Sequence, residues 1–266
     1  MAEAAYIFSD DYYARLAEIE ERHWWAAGVR ATAARMLDRF APPRRDWRVL
    51  DAGCGTGLTM RWLKRYTDVE PVGLDLAPAG LRYCRQRGCT RLAESDTRFL
   101  PFRDEHFDLV VSADVIQHLP RPGGDALALA EMGRVLCPGG LLLLRTNARC
   151  GYPATDSPIY QRYRLHELRG LIVSAGFQIH AATYVNFVPG LLATLRIKLA
   201  RRDGSVDPGL RARPVPPETS LVTRTLYGTL LAEGMFVASG KRALPFGHSI
   251  LVLAEKRAST RPPHTA

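Results

Sequence analysis

Cysteine is scarce and unpaired in this chain of 266 residues. The five cysteines, Cys54, Cys84, Cys89, Cys137 and Cys150, are odd in number, and none stands in a Cys-x-x-Cys pair. That pattern excludes a disulfide framework and a zinc ribbon, and predicts reduced structural thiols with no bound metal. Long apolar runs are missing as well: no stretch approaches the roughly 18 residues that a membrane span requires. Residues 1–11 carry acidic groups and no basic stretch ahead of an apolar one. No secretory signal is therefore expected, and a soluble, cytoplasmic protein is the reading. Acidic residues fall short of basic ones, 27 against 36, and the shortfall is local. From Gly190 onward twelve Lys or Arg stand against five Asp or Glu. A basic final third suits either an anionic partner or a generically solvated surface, and it leaves peripheral membrane contact and oligomerisation open.

What is present suffices for a full core. Hydrophobic residues make up 47% of the chain, and its length suits one domain with an elaboration. Residues 12–21 and 24–40 carry apolar groups at helical spacing, and Pro42-Pro43 closes that segment. The pattern then alternates. Short apolar runs at 47–50, 72–74, 107–112 and 141–144 read as strands, with helical patterns at 58–66, 79–87 and 124–136. Such alternation predicts an α/β fold, a mainly parallel sheet with helices on both faces. Ligands of these sheets bind beyond the carboxyl ends of the strands. A helix at 165–175, a strand at 177–184 and a final strand at 250–254 follow. Between the last two lies an insertion with an apolar stretch (187–200), a Pro-, Gly- and Arg-rich loop (201–217) and a helical segment (220–238). The chain thus divides into a helical cap (1–46), an α/β core (47–184), a helical insertion (185–247), a last core strand (248–257) and a tail (258–266) expected to be disordered.

The strongest local signal is Val49-Leu50-Asp51-Ala52-Gly53-Cys54-Gly55-Thr56-Gly57. A strand ends in a carboxylate and turns through three glycines into a helix. A dinucleotide fingerprint needs Gly-x-Gly-x-x-Gly, whereas the spacing here is Gly-x-Gly-x-Gly. Asp51 directly before the turn would repel a pyrophosphate and attract a cation. Asp75, 24 positions later at the end of the second strand, can accept from both hydroxyls of a ribose, which fits NAD equally well.

Two further segments choose between those ligands: Ser95-Asp96-Thr97-Arg98-Phe99-Leu100-Pro101-Phe102, followed by Phe107-Asp108-Leu109-Val110-Val111, and Leu136-Cys137-Pro138-Gly139-Gly140. With the glycine turn and Asp75 they resemble the class I S-adenosylmethionine-dependent methyltransferases, particularly the group acting on small molecules. The likeness covers residues 47–147. It implies a seven-stranded sheet whose last strand is antiparallel, and S-adenosyl-L-methionine as cofactor. Asp51 and the backbone of Gly53, Cys54, Gly55 and Gly57 would hold the methionine portion, Asp75 the ribose, and Leu76 the adenine face. Asp96 and the Thr97 amide would read the adenine edge. Ser112 and Ala113 would flank the sulfonium. In the cap, His23-Trp24-Trp25 through Arg30 is similar to a lid segment of relatives, with Trp25 at the methionine end or substrate and Arg30 on the cofactor carboxylate.

Methyl transfer needs alignment more than side-chain chemistry, since alignment alone supplies about 7–11 kcal/mol. Candidate bases are His118 and Asp114, both just past the fourth strand; a packing role is the rival reading for each. The basic, apolar insertion suggests a small-molecule substrate with an anionic head and a greasy body, or else a helical hairpin that packs on the sheet. Two other functions compete: a non-catalytic protein that binds S-adenosylmethionine, and an NAD(P)-dependent oxidoreductase. Nucleic acid is disfavoured, because Ser112-Ala113-Asp114-Val115 does not resemble the Asn/Asp-Pro-Pro-aromatic segment of amino-methylating nucleic-acid enzymes.

Overall fold

Seven strands form one sheet in the order β3-β2-β1-β4-β5-β7-β6. The structure, a computed structural model, describes residues 9–40, 45–149, 160–202, 220–238 and 242–257, without the side chains of 193 and 196–202. Of the loop expected at 201–217, residues 201–202 instead end a helix and 203–217 lie outside that description, as do the tail at 258–266, Cys150 and the insertion's Arg196, Lys198, Arg201 and Arg202 side chains. Strands β1 (Val49–Ala52), β2 (Val72–Asp75), β3 (Leu92–Glu94), β4 (Phe107–Ala113) and β5 (Leu136–Asn147) pair in parallel. Strand β7 (Ser249–Lys256) runs antiparallel between β5 and β6 (Phe177–Val185). The sheet is the expected seven-stranded α/β architecture.

Two apolar layers sandwich it. Strand residues alternate between faces, so Leu50, Val110, Leu142 and Leu144 join one core under α5 (Gly124–Val135) and α6 (Leu165–Ser174). Val49, Leu109, Val111, Leu141 and Leu143 join the other, where Val29, Met36 and Leu37 of α2 (Trp24–Phe40) lie against the sheet. Helix α8 (Leu221–Val237) covers α2 and contributes Leu230 to that second core. Two glycines permit the approach: a Cβ on Gly28 would lie 2.5 Å from Leu230 Cδ1, and one on Gly234 2.7 Å from Thr32 Oγ1. The end of the insertion therefore packs on the cap. Its first helix, α7 (Phe187–Arg202), is anchored by Glu233 of α8, which accepts from the Phe187 and Val188 amides at 2.9 Å each. This carboxylate meets two helix-start amides that would otherwise lack partners. No helix among the described residues is long and apolar enough to cross a membrane.

Two details differ from the sequence reading. Strand β3 has only three residues and none is fully buried, so it leaves no apolar run to detect. Strand β5 begins at Leu136, earlier than expected: Leu136 pairs with Phe107, and a register shift between Phe107 and Leu109 absorbs the Pro138-Gly139-Gly140 segment, where Gly139 adopts φ +75°. The glycines make a bulge within the strand rather than a turn before it.

Candidate functional site

The carboxyl ends of β1, β2 and β4 converge on a cluster of buried polar groups. Asp51, next to last in β1, is 1% exposed, and neither of its carboxylate oxygens has a hydrogen-bond partner among the described residues. Burial, reinforced by the Asp75 and Glu20 carboxylates, drives its pKa well above the usual carboxylate range, against the pull of Arg145. A buried acceptor left open is costly, by about 1–3 kcal/mol, and marks a place where another group is meant to sit. The same holds for the hydroxyls of Ser112, at the end of β4, and Thr97, after β3: both are buried and without partners among the described residues.

The glycine turn is built by its own amides. Gly53 and Cys54 donate to the Leu74 carbonyl at 2.7 and 2.8 Å, Gly57 donates to Cys54 at 2.9 Å, and Gly55 donates to Asp75 at 2.8 Å. Gly53, Gly55 and Gly57 all have positive φ, and a Cβ on Gly53 would stand 2.1 Å from Val115. Four amides are thus committed internally, and the turn offers no such cluster to a diphosphate, as a dinucleotide site would. An unsatisfied carboxylate beside them fits an ammonium. The residues present suit the amino-acid end of S-adenosylmethionine and not the pyrophosphate of NAD.

Asp75 is held on both oxygens. One accepts from the Ala77 amide at 2.9 Å and the Tyr13 hydroxyl at 3.3 Å, the other from Gly55. Burial raises its pKa despite those bonds. Leu76 beside it is half exposed, an apolar surface at the site's edge. Asp96 meets Arg98 through both carboxylate oxygens at 2.6–3.1 Å; burial opposes ionisation, yet this pairing keeps its pKa low.

Helix α1 (Asp10–Arg22) lies across this end of the sheet. Ser9 caps it, accepting from the Tyr12 amide. The helix brings Tyr13 to Asp75 and Glu20 to the Thr56 hydroxyl, while Arg87 donates to the Thr56 carbonyl at 2.5 Å and to Glu21 at 2.7 Å. Burial raises the Glu20 pKa, partly offset by the Thr56 bond and Arg87. From α2, Arg30 is desolvated, which lowers its pKa, with Glu20 and Arg145 among its charged neighbours. The Trp25 ring lies under the Arg145 guanidinium, 5.2 Å from its centroid.

Arg145, near the end of β5, pairs with Ala113 of β4. Its Nε and Nη2 meet the two oxygens of Asp114 at 3.2 and 2.5 Å. Asp114 adopts φ +60°, a left-handed conformation rare outside glycine. His118 lies farther along, in a 3-10 turn (Ile116–His118), with its ring 5.2 Å from that of Tyr160 and Nε2 3.3 Å from the Gln117 amide nitrogen.

Asp51, Gly53, Cys54, Gly55, Gly57, Asp75 and Ala113 therefore gather at one end, with Trp25 and Arg30 on the covering helices. Asp96, Thr97 and Leu76 lie on the β2–β3 side, His118 toward Tyr160. Sequence reasoning missed Tyr13, Glu20 and Arg145. Arg145 had a readable signal, a cation ending the apolar run of β5 at the carboxyl end of a parallel strand; Tyr13 and Glu20 had none.

Comparison with known proteins agrees with this geometry. Residues 50–144 match a family described as "Methyltransferase domain". The "Probable tRNA methyltransferase 9B" of Homo sapiens is 41% identical over 96 residues, 36% of this chain and 20% of that protein. The "Malonyl-[acyl-carrier protein] O-methyltransferase" of Halorhodospira halophila is 37% identical over 158 residues, 56% of this chain and 47% of that one. The chain thus spans about a fifth to about half of the length of these relatives. In fold, it superposes on one chain of the complex between the Haloferax volcanii Trm112 methyltransferase activator and a methyltransferase, with a TM-score of 0.59, 20% identity, and coverage of 94% and 97%. Residues 50–144 thus carry a methyltransferase domain of the S-adenosylmethionine-dependent kind, set in a methyltransferase-like fold.

Proposed function

We propose that this protein transfers the methyl group of S-adenosylmethionine to a small-molecule acceptor, on oxygen or carbon. The observation that carries the reading is the Asp51 carboxylate, buried and unpartnered where the ammonium of the cofactor would sit. When bound, the cofactor supplies an activated methyl carbon on a sulfonium. The chain's own residues do the rest. Asp51 receives the ammonium and Arg30 the carboxylate, while Trp25 closes over that end. Asp75 engages the ribose in exchange for the Tyr13 hydroxyl, and the Thr97 amide and Asp96 meet the adenine edge, with Leu76 on its face. Ser112 and Ala113 border the reacting atoms.

Of the two candidate bases, His118 suits proton removal from a hydroxyl, and Asp114 is occupied by Arg145. The relatives' names point to different acceptors, a tRNA for one and malonyl-[acyl-carrier protein] for another. Each likeness covers less than half of the relative's length, so neither acceptor transfers to this chain by likeness alone. A small molecule is favoured by the enclosure of the site beneath α1 and α2. A cytoplasmic location accords with this chemistry.

Calorimetry with S-adenosylhomocysteine and with NAD tests the reading: binding of the first with micromolar affinity and no heat from the second is expected. Uptake of NAD in preference to S-adenosylhomocysteine overturns it. Binding without methyl release across a broad acceptor panel would point instead to a non-catalytic cofactor-binding protein.

A further inference from the structure

Arg145 is a largely enclosed cation with three of its five N–H donors unspent. The side face of its guanidinium, Nε and Nη2, is fastened to both oxygens of Asp114, and one flat face rests on Trp25. Nη1 makes no hydrogen bond to any described residue, and 18% of the side chain remains accessible. Guanidinium presents two forks, one along its side and one at its end; here the side fork is taken and the end fork is open. Its position is fixed by the sheet: Asp51 is level with Val111, Val111 with Leu143, and Ala113 one pleat further on is level with Arg145. Asp51, Ala113 and Arg145 thus share one face and one end of three neighbouring strands. Asp114, which holds the guanidinium, sits in a strained left-handed conformation of the kind that persists where surrounding structure over-determines it.

We propose that Arg145 is the receptor for the anionic group of the acceptor, and that this group is a carboxylate, methylated to its ester. The proposal rests on the methyl-transfer reading above and deepens it by naming the acceptor class. A carboxylate oxygen forms its bond to the methyl carbon while the carbon–sulfur bond breaks and its electron pair returns to sulfur. The products are a neutral ester and a neutral thioether, and no proton changes hands. That chemistry explains why Asp114, the carboxylate next to Ala113, serves as an anchor for Arg145 instead of standing ready as a base. Fixing a planar carboxylate on a planar fork also aligns it, which is the main task of a methyl-transfer site.

The test begins with binding. Protein saturated with S-adenosylhomocysteine is titrated with medium-chain fatty acids and aromatic acids, and with the amide of each. Acids are expected to bind, and their amides at least tenfold more weakly. Equal affinity for both, or no binding of any acid, overturns the assignment. Arg145→Gln is expected to weaken acid binding about 30-fold or more and to leave S-adenosylhomocysteine affinity within about threefold. Equal losses for both ligands would make Arg145 a cofactor residue and end the proposal. Because Arg145→Gln leaves Asp114 without its partner, the double variant Asp114→Asn/Arg145→Gln, which removes both charges and keeps the shapes, is measured beside it and should show the same selective loss. Turnover of an acid should be flat with pH above the acid's own pKa, and the label delivered to it should afterwards be released as methanol by mild alkali. Alkali-stable product overturns the ester, whereas failure to bind S-adenosylhomocysteine at all would instead defeat the methyl-transfer reading on which this rests.

Discussion

The two ends of the same sheet treat polar groups in opposite ways. At the amino end of β4 the strong charges of Arg48, Asp108, Arg134 and Glu131 are answered. Arg48 meets Asp108 through its backbone amide at 2.9 Å and through Nε and Nη2 at 3.1 and 3.0 Å. Arg134 of α5 binds Glu131 and Asp104 and donates to the carbonyls of Leu100 and Phe102 at 2.9 and 2.8 Å. Even the shallow cleft there, lined by Trp47, Thr67, Glu70, Arg91 and His106, has its Glu70 bound by the Thr90 amide and hydroxyl. At the carboxyl end Asp51, Thr97 and Ser112 are buried with side-chain oxygens unmet. Both ends are built from the same strands, so the difference is not one of fold. Satisfied charges hold the amino end together; unmet ones at the carboxyl end are kept, at a cost in stability, for a ligand.

The sharpest way to break this contrast is Asp51→Asn. Loss of about 3 kcal/mol in S-adenosylhomocysteine binding, about 100-fold or more, is expected in calorimetry, because the ammonium loses its counter-charge. The ligand-free protein should at the same time become more stable by about 1 kcal/mol in denaturant unfolding, since a buried unpaired carboxylate is removed. Should both binding and stability fall, Asp51 has a structural partner and the two ends are alike. The pH dependence carries the same sign. The folded-state pKa of Asp51 is raised, so its contribution is fully present below the unfolded value, about 3.9, and is lost as pH rises toward the folded one. Ligand-free wild type should therefore lose stability from about pH 4 upward relative to Asp51→Asn. An ammonium in contact would draw the proton off, so affinity should rise with pH over the same window.

How much of this could be read from the chain follows the same division. The glycine turn, Asp51 and Asp75 were legible because backbone geometry dictates residue type there: positive φ at Gly53, Gly55 and Gly57 calls for glycine, and a strand-end carboxylate has no reason to interrupt an apolar run. Strands β1, β2 and β4 were legible from short apolar runs bounded by turn residues. Strand β3 was not, for it is three residues long and lies at the sheet's edge. Nor could the sequence reveal that α1 folds back so that Tyr13 meets Asp75 and Glu20 meets Thr56, 62 and 36 positions away. Such pairs carry no local periodicity. The packing of α8 on α2 was hidden for the same reason, although Gly28 and Gly234, small residues inside helices, were its only trace.

A second, smaller effect sharpens the contrast from the other side. Arg134→Ala takes the guanidinium from Glu131, which keeps only the Leu100 amide, and strips two carbonyls in the loop ahead of β4, and should destabilise the protein by about 2 kcal/mol. Unfolding in urea measures this. Cofactor affinity should stay within about twofold, because the loop lies at the opposite end of the strand from Ser112 and Ala113. A loss of binding equal to the loss of stability would mean that the two ends are coupled through β4.

The smallest effect belongs to Arg48 and Asp108. Their geometry is good, yet the Arg48 side chain is 44% exposed and that of Asp108 29%. Water screens such a pair, and ordering the long arginine offsets part of its attraction, so a double-mutant cycle with Arg48→Ala and Asp108→Ala should give a coupling of about 0.5–1 kcal/mol. The coupling should shrink in high salt, since the Debye length drops to about 3 Å at 1 M. A coupling above about 2 kcal/mol that resists salt would place the pair in a low-dielectric setting. In that case the amino end would also carry buried electrostatics, and the division of labour between the two ends would be one of degree.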